Sequence, residues 1–285
     1  MTLRIGRIPY INCYPVYGAI DRGLIRIDAE LVDGVPTALN ARMAAGELDV
    51  SVVSAVEYAR DSRRYLLLPD LAISCDGPVR SVMLFSKRPA TELTSRRVLV
   101  SRSSMTSVAL LELLFENVWY ARPTFVPTDA EISDVARFGS EEHDARLVIG
   151  DAALLLETRS RHPRDSDSGV TYPHAYDLGD AWKQWTGLPF VFAVWVAQRN
   201  VVVDAALAAH AGLINSRNWG IANVPELAKQ AADATGVPYA ACEEYLGGLD
   251  YGLSYPHLAG LTEFYRRLVQ RGSVPNGTLT FLPAA

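Results

Sequence analysis

Hydroxyl and amide side chains, rather than histidines or paired cysteines, are the groups here whose placement could support chemistry. The run Ser103-Ser104-Met105-Thr106-Ser107 leads into a stretch with helical spacing. Hydroxyls and backbone N–H groups gathered at a helix N-terminus make an anion site that needs no cationic side chain, and a carboxylate suits it. Ordinary N-capping accounts for the same run, since one Ser or Thr cap is worth about 1 kcal/mol. Ser54 ends one buried apolar strand and Asn12 follows another, and ligands of open α/β sheets collect at such strand ends. Trp182 and Trp185 lie in the run Asp177–Phe190 beside a Gly-Leu-Pro turn, where indoles either pack a core or wall a cleft.

Other chemistries lose their usual support. His143, His162, His174, His210 and His257 are isolated, with no HExxH spacing, so no metal site is expected. GxSxG, a P-loop and a GxGxxG after a strand are missing, which removes the common signs of acyl transfer, phosphate cradling and dinucleotide binding. Cys13, Cys75 and Cys242 are scattered and fit reduced thiols better than a disulfide framework. A formal net charge of −5 gives no general field for nucleic acid or anionic lipid. The opening MTLRIGRIPYINCYP has no long apolar region, and no later run reaches the roughly 18 residues a bilayer span needs, so a cytoplasmic protein is expected.

The periodicity predicts strands at Leu3–Ile8, Ile27–Val32, Leu48–Val53, Tyr65–Leu68, Leu71–Ser74 and Ser81–Ser86, with helices at Val16–Arg22, Pro36–Ala45 and Val56–Arg63 between them. A second strand and helix series follows at Arg97–Ser101, Val108–Phe115, Arg146–Ile149 and Ala152–Thr158, with a surface loop at Ser160–Ser168. Pro189–Ala197 reads as a strand, and four helices from Asp204 to Arg271 return over the first unit. One α/β unit nested in another describes a periplasmic-binding-protein type II fold, two lobes with a central cleft and two hinge crossings. Residues 1–90 and 188–285 would form the first, discontinuous lobe and 91–187 the inserted second.

Taken together, RIPYINCYPVY, LDVSVVSAVEYA, SCDGPVRSVMLFSK, SSMTS, IGDAAL and DLGDAWKQWTGLPFVFAVW resemble the menaquinone biosynthetic chorismate dehydratases of the futalosine route. The resemblance covers most of the chain in order, with GPVRSV and WKQWTGLPFVFAVW the most specific segments. It implies a hydro-lyase that converts chorismate to 3-[(1-carboxyvinyl)oxy]benzoate and water without metal or organic cofactor. Removing the C3 proton and C4 hydroxyl aromatises the ring, so the driving force lies in the substrate, and its own enolpyruvyl carboxylate is one candidate base. By motif position, Asn12 and Ser81 are the implied catalytic residues. Ser54, Ser103, Thr106 and Ser107 would hold carboxylates, and Asp151, Trp182 and Phe190 would line the cleft. Arg80 either adds a charge to the cleft or points into solvent, and Cys13 reads as a small buried hydrophobe. A homodimer is left open.

Two rivals share the fold. A plain solute-binding protein would use the same anion site for capture alone. The sister 1,4-dihydroxy-6-naphthoate synthases of the same route carry a catalytic histidine in the cleft, whereas His143, in GSEEHDAR, reads as exposed and His174 has no match to that branch.

Overall fold

The computed structural model describes residues 2–102, 104–128, 142–161 and 172–283. Its strands form two five-stranded sheets on one plan. In the first, β1 (Leu3–Arg7) lies between and parallel to β2 (Ala29–Asp33) and β3 (Val50–Ser54), while β10 (Phe190–Gln198) joins antiparallel between β3 and β4 (Tyr65–Cys75). In the second, β6 (Arg97–Ser101) lies between and parallel to β7 (Thr124–Thr128) and β8 (Ala145–Ile149), while β5 (Val82–Ser86) joins antiparallel between β8 and β9 (His174–Asp177). The strands that follow the two crossings, β5 and β10, thus hold equivalent places. β3 and β10 are buried along their whole length, which explains why they read as apolar runs rather than alternations.

Helices α1 (Tyr14–Asp21), α2 (Pro36–Ala44) and α3 (Ala55–Arg60) accompany the first sheet, and α4 (Met105–Asn117), α5 (Gly150–Arg161) and α6 (Leu178–Thr186) the second. The chain then returns: α7 (Val203–Ala222) packs on α1, α8 (Val224–Thr235) on α9 (Tyr239–Gly248), and α10 (Tyr255–Gln270) on β10 and α3.

Three expectations are corrected. A boundary near residue 90 puts Ser81–Ser86 in the first lobe, but β5 pairs with β8 and β9, so the chain leaves the first sheet after Cys75 and crosses within Asp76–Ser81. A short apolar strand has the same local pattern in either sheet, and its partners here lie about 60 and 90 residues further on, beyond the reach of periodicity. The run read as a turn with two indoles contains α6, capped by Asp177 and ended by Gly187 at φ +74°. The expected loop at Ser160–Ser168 begins instead as the end of α5, and its residues from 162 lie outside those described.

Asp177, at the end of β9, ties the first crossing to the start of α6. Its Oδ1 accepts from the N–H groups of Val79 (3.0 Å), Gly179 (2.9 Å) and Asp180 (3.1 Å), and its Oδ2 from that of Arg80 (2.6 Å). Gly179 permits the approach, because a Cβ there would sit 2.6 Å from Cys75 Sγ and 2.7 Å from the Gly77 carbonyl. Arg80 takes φ +60°, a conformation costing a residue with a Cβ roughly 1 kcal/mol. Its guanidinium answers neither earlier alternative: it is buried, bonded to Glu157 Oε2 through Nε (3.3 Å) and Nη2 (3.0 Å), and paired through Nη1 with Glu244 of α9 at 2.9 Å. Asp177→Ala strands N–H groups of the first crossing and of the first turn of α6 and should lower stability by about 2–4 kcal/mol, read as the midpoint of urea unfolding. A loss below about 0.5 kcal/mol would show that the crossings hold without it.

Candidate active site

Five strand-to-helix turns from the two sheets meet at one cavity. Its polar lining is Asn12, Ser54, Ser81, Ser104, Thr106 and Ser107, and its apolar walls are Ile8, Ile73 and Phe192 facing Val79, Val82 and Ile149. Pro36, Tyr10, Met105, Gly150 and Ala193 also line it, so among the described residues no carboxylate, histidine, lysine or arginine stands in the lining. A second hollow, between Tyr58, Tyr265 and the loop Val274–Leu279, has none of these strand-end groups.

Asn12 sits in the 3-10 turn Ile11–Cys13 after β1, and its Oδ1 is buried with no hydrogen-bond partner in the protein. The turn is held from the second lobe, since Ile11 N–H donates to Asp151 Oδ1 at 3.3 Å. Ser81 enters from the opposite side beside the buried Tyr245 phenol, whose pKa burial pushes up while Ser81 opposes the shift, so that phenol stays neutral. Gly150, at φ +65°, donates to the Ser81 carbonyl at 2.8 Å and lets α5 begin directly after β8.

The run at α4 departs from ordinary capping: Ser104 occupies the N-cap position but makes no side-chain capping bond. Its hydroxyl, with those of Thr106 and Ser107, belongs to the cavity wall, and Thr106 Oγ1 also accepts from Val56 N–H of α3 (3.2 Å), joining the lobes. Ser103 lies outside the described residues. Ser54 does cap its helix, accepting from Glu57 N–H (3.3 Å), and is gripped by Asn40. The N-termini of α4 and α5 and these hydroxyls are what the cavity offers an anion.

Three expected residues stand behind the wall rather than on it. Trp182 is fully buried, donating from Nε1 to the Pro189 carbonyl (3.1 Å), and packs edge-on against Phe190 and Phe264. Phe190 belongs to the same cluster, and Phe192, two residues along β10 and in edge contact with it, takes its place at the cavity where β10 shifts register against β4 between Val191 and Ala193. Asp151 acts through Ile11 rather than lining the cavity. His143 is buried, not exposed, its ring bonded to Tyr172 Oη at 2.7 Å. The other described histidines also lie off the cavity, His210 at the Pro69 carbonyl and His257 capping α10. His162 lies outside the described residues. Cys13 is buried, and burial raises its thiol pKa, as a small apolar residue requires. Among the described residues no group of three His, Cys, Asp or Glu could hold a metal, and no helix is long and apolar enough to cross a membrane. Asn40, Phe192 and Tyr245 were not foreseen: each reaches the site through a contact far off in sequence.

Burial pushes the Asp151 carboxyl up to about 6, against the opposing Ile11 hydrogen bond. The unfolded chain, at about 3.9, loses this proton first, so the group's contribution to stability falls as pH rises from about 4 to about 6 and is flat above. Asp151→Asn, which keeps an acceptor for Ile11, should remove that slope and add up to about 3 kcal/mol at neutral pH. Urea unfolding of both proteins across this range checks it, and parallel pH profiles would contradict it.

The menaquinone biosynthesis family model matches residues 3–270. A chorismate dehydratase of Thermus thermophilus is 31% identical over 268 residues, 91% of this chain and 95% of the relative. One of Campylobacter jejuni is 26% identical over 193 residues, 66% of this chain and 64% of that protein. Among solved structures, an Archaeoglobus fulgidus protein superposes with TM-score 0.76 at 20% identity, covering 95% of this chain and 98% of its own. The alkanesulfonate-binding protein of Xanthomonas axonopodis bound to MOPS does so with TM-score 0.67 at 14% identity, covering 98% and 96%. The last likeness shows a periplasmic-binding-protein fold. With its matched residues spanning both sheets and the cavity between them, the chain belongs to the menaquinone biosynthesis family.

Proposed function

We propose that this protein is a chorismate dehydratase, releasing water from chorismate to form 3-[(1-carboxyvinyl)oxy]benzoate. The observation that carries the reading is Asn12 Oδ1, a buried acceptor without a protein partner, facing the same uncharged cavity as Ser81. Leaving a buried acceptor unpaired costs about 1–3 kcal/mol, and a hydroxyl of the substrate would satisfy it. The names of the relatives point to the same substrate.

In this reading the C3–H bond breaks, its electrons form the new ring double bond, and the C4–O bond releases hydroxide. The substrate's enolpyruvyl carboxylate takes the C3 proton, as no carboxylate, histidine or lysine among the described residues lines the cavity. Asn12 orients the C4 hydroxyl and Ser81, backed by the Tyr245 phenol, assists its departure. Ser54, Thr106 and Ser107, with Ser103 assigned by its motif alone, hold the carboxylates. Asp151 fixes the Asn12 turn, and Trp182 and Phe190 brace the wall from behind. The sister naphthoate synthase reading finds no described imidazole at the cavity, and the family match disfavours capture alone.

Incubating the protein with chorismate and following the aromatic product by HPLC tests this. Turnover is expected, with Asn12→Asp and Ser81→Ala each lowering kcat/KM by about 100-fold or more. No turnover, or variants that match the wild type, would refute it.

A further inference from the structure

Asn40, in α2, meets Ser54 at two points: its Oδ1 accepts from Ser54 N–H at 3.1 Å and its Nδ2 donates to Ser54 Oγ at 2.9 Å. A backbone N–H can only donate, which fixes the amide's orientation and makes Nδ2 the group facing the hydroxyl. Ser54 Oγ also accepts from Glu57 N–H, so both lone pairs are taken and its hydrogen is left to donate. The acceptor available to it is Met105 Sδ of the opposite lobe, 3.9 Å away. The second hydrogen of Asn40 Nδ2 goes to the same sulfur at 3.2 Å, and Arg60 Nη1 lies 3.9 Å from it. Three donors, one of them cationic, thus converge on a thioether, among the weakest acceptors a protein has. Asn40 and Ser54 are both buried, 3% and 8% exposed, so these donors have little water to turn to.

We propose that the point held by the Met105 sulfur is a carboxylate subsite, with Asn40 donating and setting Ser54 as a donor, Arg60 supplying charge, and Met105 yielding to the ligand. The inference deepens the proposed function and rests on it for the identity of the natural ligand. A carboxylate oxygen accepts charge-assisted hydrogen bonds that a thioether cannot match. Asn40 acts partly as a positioning residue: in Asn40→Asp the atom facing Ser54 Oγ becomes an acceptor, draws the hydroxyl hydrogen inward and removes it from the cavity.

Calorimetric titration with isophthalate, a benzene 1,3-dicarboxylate, reads the subsite without turnover, and chorismate kinetics read it in the reaction. Asn40→Asp should weaken isophthalate roughly tenfold and raise KM for chorismate more than it lowers kcat. Ser54→Ala should do likewise, and the double variant should lose less than the two single losses combined, as residues acting through one hydroxyl require. Met105→Leu, which keeps the volume and removes the sulfur, should tighten isophthalate about twofold to fivefold. The exposed Arg60→Gln should weaken it about threefold and flatten its salt dependence. No isophthalate binding by the wild type, or wild-type affinity in both Met105→Leu and Arg60→Gln, overturns the subsite. If the expected isophthalate pattern appears while chorismate stays intact, the subsite stands and the proposed reaction falls. If chorismate is converted with an unchanged KM in every variant, the reaction stands and the subsite falls.

Discussion

Four backbone N–H groups, from Val79, Arg80, Gly179 and Asp180, end on the single carboxylate of Asp177, and the geometry of the cleft depends on that convergence. Burial raises the pKa of this carboxyl and the four N–H groups pull it back, which is how a charge can be kept so far from water. Two of those donors begin α6 and two belong to the first crossing, so one side chain ties the segment that leaves the first sheet to the helix that precedes the return strand β10. Arg80 tolerates its positive φ because Asp177 holds its N–H and Glu157 and Glu244 hold its guanidinium. The next residue, Ser81, is thereby turned to the cavity.

What the two lobes enclose is a cavity whose described lining is short of charged groups, which the proposed function reads as a site for an anion. The N-termini of α4 and α5, three hydroxyls of the Ser104–Ser107 run, and the amide of Asn12 replace the lysine or arginine that such a site is commonly given. In the proposed reaction this neutrality has a use. A carboxylate that must accept a proton from carbon keeps its basicity only if no cation is paired with it, since a guanidinium beside a carboxylate lowers its pKa by about 1–3 units. A carboxylate in the proposed subsite near Arg60 would be weakened in this way, leaving the other carboxylate, in the uncharged part of the cavity, as the stronger base.

The sequence made the strand ends legible because apolar runs such as Val50–Ser54 are long enough to stand out and Ser54 follows one directly. The hydroxyl run at Ser103–Ser107 was equally visible, but whether its members cap α4 or face a ligand depended on the conformation of Ser104, which no spacing encodes. Helix α6 was missed although its signals were present, an Asp at the N-cap and a glycine just past the last turn, because the tryptophans drew the reading toward a cleft wall. Phe192 rather than Phe190 meets the cavity, although the two share a face in a regular strand, and the register shift of β10 between Val191 and Ala193 that lies at this point leaves no mark in an apolar run. Asn40 and Tyr245 depended on packing between elements 14 and 164 residues from the groups they touch, beyond any local pattern.

The claim on which the rest turns is that the reacting proton is handled without a protein acid or base. Asp151, at about 6, is held off the cavity by Ile11, and no carboxylate or imidazole stands among the described lining residues. The direct measurement is the pH dependence of kcat for chorismate at saturating substrate. Between about pH 7 and 9 the expected profile is flat, because no group in the cavity changes charge there. A limb within that range, abolished by replacing one protein side chain, would assign the proton transfer to that residue and contradict the mechanism.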